Sequence, residues 1–150
     1  MHKLILNNLL LINHSNMFRP LSRSPSNRLQ DSGIYRIQCN TCNRSYVGQS
    51  GRSISVRYRK HIRCIRTNSP NSAYAQHILN HQHEYGPPEQ TLHLLKSCTK
   101  RGIMNQWENF HILQLHDLNQ LIQEQQIPEH NPLFCLSIPQ LPYRDVNTYT

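Results

Sequence analysis

The chain has 150 residues, 37% of them hydrophobic, a formal net charge of +8 and a mean hydropathy of −0.66. That length allows one domain with one core. No run approaches the ~18 apolar residues of a membrane span, and five irregularly spaced cysteines exclude a secreted disulfide scaffold. The charge is lopsided: residues 1–66 carry twelve Lys/Arg against Asp31 alone, whereas residues 67–150 carry four bases and seven acids. A localised positive field of this kind favours a polyanionic partner.

Residues 1–30 read as a basic, disordered tail. The run Arg19-Pro20-Leu21-Ser22-Arg23-Ser24-Pro25-Ser26-Asn27-Arg28 resists packing. Leu4 to Ile12 is broken by Asn7-Asn8, and no small-residue cleavage site follows, so no signal peptide is expected.

The domain proper is expected over 31–135. Gly33 to Cys39 alternates with period two and predicts a strand. Asn40-Thr41-Cys42-Asn43 is turn chemistry. Arg44 to Gln49 predicts a second, antiparallel strand. Ser53 caps a helix running to about Arg66, with Ile54, Tyr58, Ile62 and Ile65 as its apolar stripe and Arg57 and His61 together on another face. Ser72 to about His81 is a second helix, which Gly86-Pro87-Pro88 stops. Thr91 to Cys98 is a third strand. Arg101 to Glu124 is a long helix, with Ile103, Trp107, Phe110, Leu113, Leu118 and Leu121 available to the core. Prolines from Pro128 onward exclude another long element, and 136–150 is expected to be loose. The order predicts an α+β fold, a small antiparallel sheet flanked by helices.

Cys39, Cys42, His77 and His83 have the residue types and local spacing of a closed, tetrahedral, structural Zn²⁺ site, with His81 as the alternative to His83. Cys64, Cys98 and Cys135 read as buried apolar positions.

Gly33-Ile34-Tyr35, then Tyr46-Val47-Gly48, then Arg57 and His61 on the next helix and Glu108 on a later one, resemble the GIY-YIG nuclease domain. The intervening CxxC, with Ala75-Gln76-His77 and His83 downstream, is similar to the endonuclease domain of Penelope-like retroelements. The resemblance covers about 31–135 and implies a three-stranded antiparallel sheet. It also implies a metal-dependent DNA endonuclease that nicks DNA for target-primed reverse transcription. Tyr35 or Tyr46, Tyr35 by preference, would deprotonate or orient water, and Arg57 would hold the phosphate. His61 would relay a proton or orient a tyrosine, and Glu108 would hold Mg²⁺ or Mn²⁺. The family's further Asn falls on Asn131, with Asn119 as the alternative. Gly48, Arg52, Arg59, Lys60 and Arg63 are the expected nucleic-acid contacts. The implied partners are DNA and a reverse transcriptase in cis or in trans, with no membrane. A DNA substrate implies a nuclear setting. The competing reading is a catalytically silent, zinc-stapled DNA-binding module, or a decayed retroelement fragment, using the same basic surface.

Overall fold

A computed structural model describes residues 28–129. Strands β1 (Gly33–Gln38) and β2 (Ser45–Ser50) lead into helices α1 (Ile54–Arg66) and α2 (Ala73–His81). The short helix α3 (Pro88–Thr91), β3 (Leu92–Ser97) and α4 (Arg101–Asp117) follow. The three strands form one antiparallel sheet in the order β2-β1-β3, an α+β architecture with helices on both faces. β1 is central because both of its faces are apolar. Tyr35 and Ile37 pack with Ile54, Tyr58 and Ile62 of α1, Tyr74 and Ile78 of α2, and Leu92. Ile34, on the opposite face, joins Val47 beneath Met104, Ile112 and Leu115 of α4. Burying such side chains stabilises the fold by about 1.5–3 kcal/mol each.

Local chemistry sets the element ends. Ser53 caps α1, its hydroxyl accepting from the Val56 amide at 3.4 Å. Ser72 does the same for α2, accepting from the Ala75 amide at 3.1 Å. Pro88 opens α3 rather than only ending what precedes it, since proline suits the first turn of a helix. The third strand consequently begins one residue later than its sequence suggests and ends at Ser97. Gly33 adopts φ +148°, and a Cβ there would stand 2.0 Å from the Lys96 carbonyl oxygen. Only glycine lets β1 start this close to β3.

The packed chain begins earlier than residue 31, with Leu29 already against the core. The larger correction concerns α4. It ends at Asp117 rather than near Glu124, and Asn119 turns the chain at φ 55°. Residues 118–125 then run back along the free edge of β2. The Ser45 amide donates to the Gln120 carbonyl at 2.7 Å, and the Ile122 amide donates to the Ser45 carbonyl at 3.0 Å. The Gln125 side chain completes this strap: its Oε1 accepts from the Val47 amide at 2.9 Å and its Nε2 donates to the Val47 carbonyl at 2.6 Å. An amide side chain thus does what a neighbouring strand would do for an exposed edge.

The buried stripe of α4 also differs from expectation. Ile103 and Leu118 are 42% and 56% exposed, while Met104, Ile112 and Leu115 are buried. At about 100° per residue, Met104, Glu108, Ile112 and Leu115 share one narrow face. The acid therefore sits inside the stripe that faces the sheet.

Candidate active-site cleft and metal centre

The register places Tyr35 opposite Gly48 and Ile37 opposite Tyr46, so both tyrosines lie on the face covered by α1. Their ring centroids are 6.2 Å apart. Gly48, expected at the nucleic-acid surface, is instead buried between them. A Cβ at Gly48 would stand 2.6 Å from Tyr35 Oη and 2.8 Å from the Tyr46 ring. The glycine is there to let two phenols meet, as β-sheet glycines often permit a close approach.

Tyr35 has no exposed surface, and its hydroxyl lies 2.8 Å from His61 Nε2. The other nitrogen of His61, Nδ1, lies 2.6 Å from Ser72 Oγ. His61 is itself buried, and burial, then the charges of Arg57 and Lys60, lower its pKa from 6.5 to about 4. A neutral imidazole that donates from Nδ1 to Ser72 keeps Nε2 free to accept from Tyr35. The Tyr46 phenol and the Arg57 guanidinium also act on Tyr35 electrostatically. Burial first, then Tyr46, raises its pKa well above the ordinary value, against the lowering influence of Arg57. Tyr46 is only partly buried. Its pKa is raised by burial and then by the charge of Glu108, and lowered by Arg57. Tyr35, His61 and Ser72 thus form one hydrogen-bonded row that ends at the N-cap of α2, with the partly open Tyr46 ring packed beside Tyr35 and His61.

Arg57 of α1 and Glu108 of α4 act on the tyrosines through their charges, from helices that cover opposite faces of the sheet. Arg57 Nε is buried with no hydrogen-bond partner. Glu108 accepts from Gln49 Nε2 at 2.8 Å through one carboxylate oxygen. Burial raises the Glu108 pKa, while Gln49 and Arg57 lower it. A cleft of about 800 Å³ joins the two helices, lined by Gln49, Arg52, Arg57, Lys60, Arg101 and Asn105 among others. A second groove lies on the outer side of α1, where Lys60 is joined by Arg59, Arg63 and Thr67. Asn119 lines a separate groove and accepts from Arg44 Nη2 at 3.2 Å. Asn131 and Cys135 lie outside the described residues.

The second constellation forms at the far end of the hairpin. Ligand atoms of Cys39, Cys42, His77 and His83 all lie within 4.8 Å of one another. Cys39 Sγ is 3.4 Å from His83 Nδ1, Cys42 Sγ is 3.3 Å from His77 Nε2, and the two imidazole nitrogens are 3.2 Å apart. Tetrahedral zinc with ordinary Zn–S and Zn–N bonds needs ligand separations of about 3.3–3.8 Å, so the donor set fits that ion. His81 stays outside the set: its Nε2 lies 2.9 Å from Glu124 Oε1. Glu124, which the sequence offered only as the end of a long helix, also places Oε2 3.0 Å from His77 Nδ1. Of the remaining cysteines, Cys64 is buried as expected, whereas Cys98 is half-buried.

Glu108 offers hard oxygen, which fits Mg²⁺ or Mn²⁺. Among the described residues, no group of three ligating side chains includes it.

No family model matches the sequence, and no curated protein matches it significantly. Among solved structures, the chain is similar to the catalytic domain of the homing endonuclease I-TevI, at 20% identity and a TM-score of 0.47. The alignment covers 60% of this chain and 94% of that one.

Proposed function

We propose that this chain is a metal-dependent DNA endonuclease domain of the GIY-YIG type. The observation that carries the reading is the bonded row Tyr35–His61–Ser72 with Tyr46 packed beside it, in the electrostatic reach of Arg57 and Glu108 and near one basic cleft. Water attacks phosphorus and the bond to the 3′ oxygen breaks. Tyr46, the more open phenol, takes the water's proton and passes its own through Tyr35 to His61 Nε2. The departing 3′ oxygen takes a proton from solvent. His61 Nδ1–H remains on Ser72 Oγ, which helps the ring bear the charge it gains. The Arg57 guanidinium, with its unpartnered Nε, binds the phosphoryl oxygens as negative charge builds on them. Glu108 would hold a divalent cation, which would supply Lewis-acid polarisation of the phosphate. Arg52, Lys60, Arg59 and Arg63 hold the flanking backbone phosphates. Cys39, Cys42, His77 and His83 would hold a zinc ion that pins the hairpin to α2, with no part in the chemistry.

The finer reading rests on the sequence resemblance. The domain descends from a Penelope-like retroelement and nicks a nuclear DNA target to expose a 3′ hydroxyl for a reverse transcriptase, in cis or in trans. The same resemblance assigns the family's further Asn to Asn131, with Asn119 as the alternative.

The test is nicking of supercoiled plasmid with Mg²⁺, comparing wild type with Glu108→Ala. Nicking by wild type alone is expected, with equal DNA binding by both. The second reading, a silent zinc-stapled DNA-binding module, is favoured by the tight Cys/His cluster beside the basic groove. It prevails when both proteins bind DNA and wild type nicks no faster than the variant.

A further inference from the structure

Glu124 lies where the strap that closes the sheet edge meets the metal cluster. Its carboxylate is almost buried and both oxygens are engaged, Oε2 with His77 Nδ1 at 3.0 Å and Oε1 with His81 Nε2 at 2.9 Å. The next residue, Gln125, clamps Val47 through both ends of its amide. Leu121 and Ile122, just upstream, are buried, and Ser45 is bonded on both sides to Gln120 and Ile122.

We propose that Glu124 is the positioning residue for the metal ligand His77, and that through it metal occupancy and closure of the 118–125 strap are one event. The inference rests on the zinc reading of the Cys/His cluster. An imidazole ligates through a nitrogen that carries no proton. A carboxylate accepting from Nδ1–H fixes the proton on that side and aims the Nε2 lone pair at Cys42 and His83. Without it, the ring is free to carry its proton on Nε2, where the metal must bind. His81 holds the second carboxylate oxygen and so fixes the direction in which Glu124 points.

The coupling runs both ways by linkage. A metal-fixed His77 gives Glu124 an oriented donor and holds the strap against β2. A closed strap presents Glu124 to His77 and raises the affinity for metal. Loss of the metal therefore loosens the strap, so that the Ser45 and Val47 backbone groups it covers open to solvent more often.

The experiment uses the full chain loaded with zinc, in wild-type, Glu124→Gln and His81→Ala forms. Zinc affinity is measured by competition with a chromophoric chelator, and exchange of the Ser45 and Ile122 amides by hydrogen–deuterium exchange at saturating zinc. Glu124→Gln keeps the size of the side chain but replaces the charged acceptor. It is expected to weaken zinc about 10–100-fold, with His81→Ala weakening it less. With the site saturated, both amides should exchange at least about tenfold faster in Glu124→Gln, since the strap has lost its hold on His77. In chelator, the melting temperatures of wild type and Glu124→Gln should differ by less than they do with zinc bound, which a purely structural role for Glu124 would not produce. Equal zinc affinity in wild type and Glu124→Gln overturns the inference and leaves the zinc site standing. Reduced affinity with unchanged exchange overturns the coupling to the strap. A wild type that binds no zinc overturns both.

Discussion

The two histidine-bearing constellations are built on opposite plans. In the Cys/His cluster the donor atoms face one another at 3.2–3.4 Å, an arrangement that one ion completes. In the cleft two of the groups are instead held by neighbours outside the reacting set. His61 rests on Ser72 and Glu108 on Gln49, while Arg57 keeps a buried, unpartnered Nε. The first is a closed arrangement suited to holding the fold together. The second is preorganised around a position that the protein does not fill, which is how electrostatic catalysis differs from structural ligation.

The sharpest way to break that contrast is to remove the metal ligands. The double substitution Cys39→Ser, Cys42→Ser is expected to abolish zinc binding by elemental analysis. It should also lower the melting temperature by on the order of 20 °C, since zinc binding is folding free energy in a core of this size. Unchanged melting with zinc lost would put the cluster outside the fold's stability. On the cleft side, Arg57→Ala should lower the nicking rate by about 10²–10³ while leaving the zinc content at wild-type level. Loss of zinc in that variant would show that the two centres are not independent.

Acid should separate the centres by a third route. The unfolded chain takes up a proton on His61 below about pH 6.5, which the folded chain resists down to about pH 4. His61 thus favours the fold fully above pH 6.5, and that contribution fades as the pH falls toward 4. The loss is at most about 3 kcal/mol. Denaturant titrations of wild type and His61→Gln across this window should show a shallower decline in the variant. Parallel declines would mean that His61 titrates normally in the folded protein. The smallest expected change comes from Gly48→Ala. Its Cβ would meet the Tyr35 hydroxyl at 2.6 Å, at a cost of about 1–3 kcal/mol. Because the two phenols must part to admit it, nicking should fall by more than the lost stability accounts for. Equal activity at 25 °C would show that the tyrosines need not touch.

The distance between reading and structure is largest where two segments far apart in sequence meet. Ser53 and Ser72 were legible as helix starts because an N-cap is a local bond between a side chain and the backbone three residues on. Ser72 was not legible as a partner of His61, because no periodicity relates a helix cap to the flank of another helix. Glu108 was chosen from its motif, but its helix face was misjudged. The apolar run Ile103, Trp107, Phe110 and Leu113 competes with Met104, Ile112 and Leu115, and only the sheet decides which is buried. The acid at the centre of the second stripe was a usable signal: a carboxylate on a core-facing line needs a polar partner or a ligand. Gly48, an expected nucleic-acid contact, is instead flanked by Tyr35 and Tyr46, a cross-strand relation that no local pattern in the sequence encodes.

By itself the sequence determined what depends on short range: strand alternation, the hairpin turn, the helix caps, and the types and spacing of the Cys and His donors. The tertiary structure alone decided where α4 stops, that residues 118–125 return to cover β2, and that Glu124 reaches His77 and His81. It also decided that Tyr35 lies beneath Tyr46. The physical reason is that local bonds are fixed by residues a few positions apart. Burial is a property of surfaces, and a side chain's partner across a sheet is set only once the whole chain has packed.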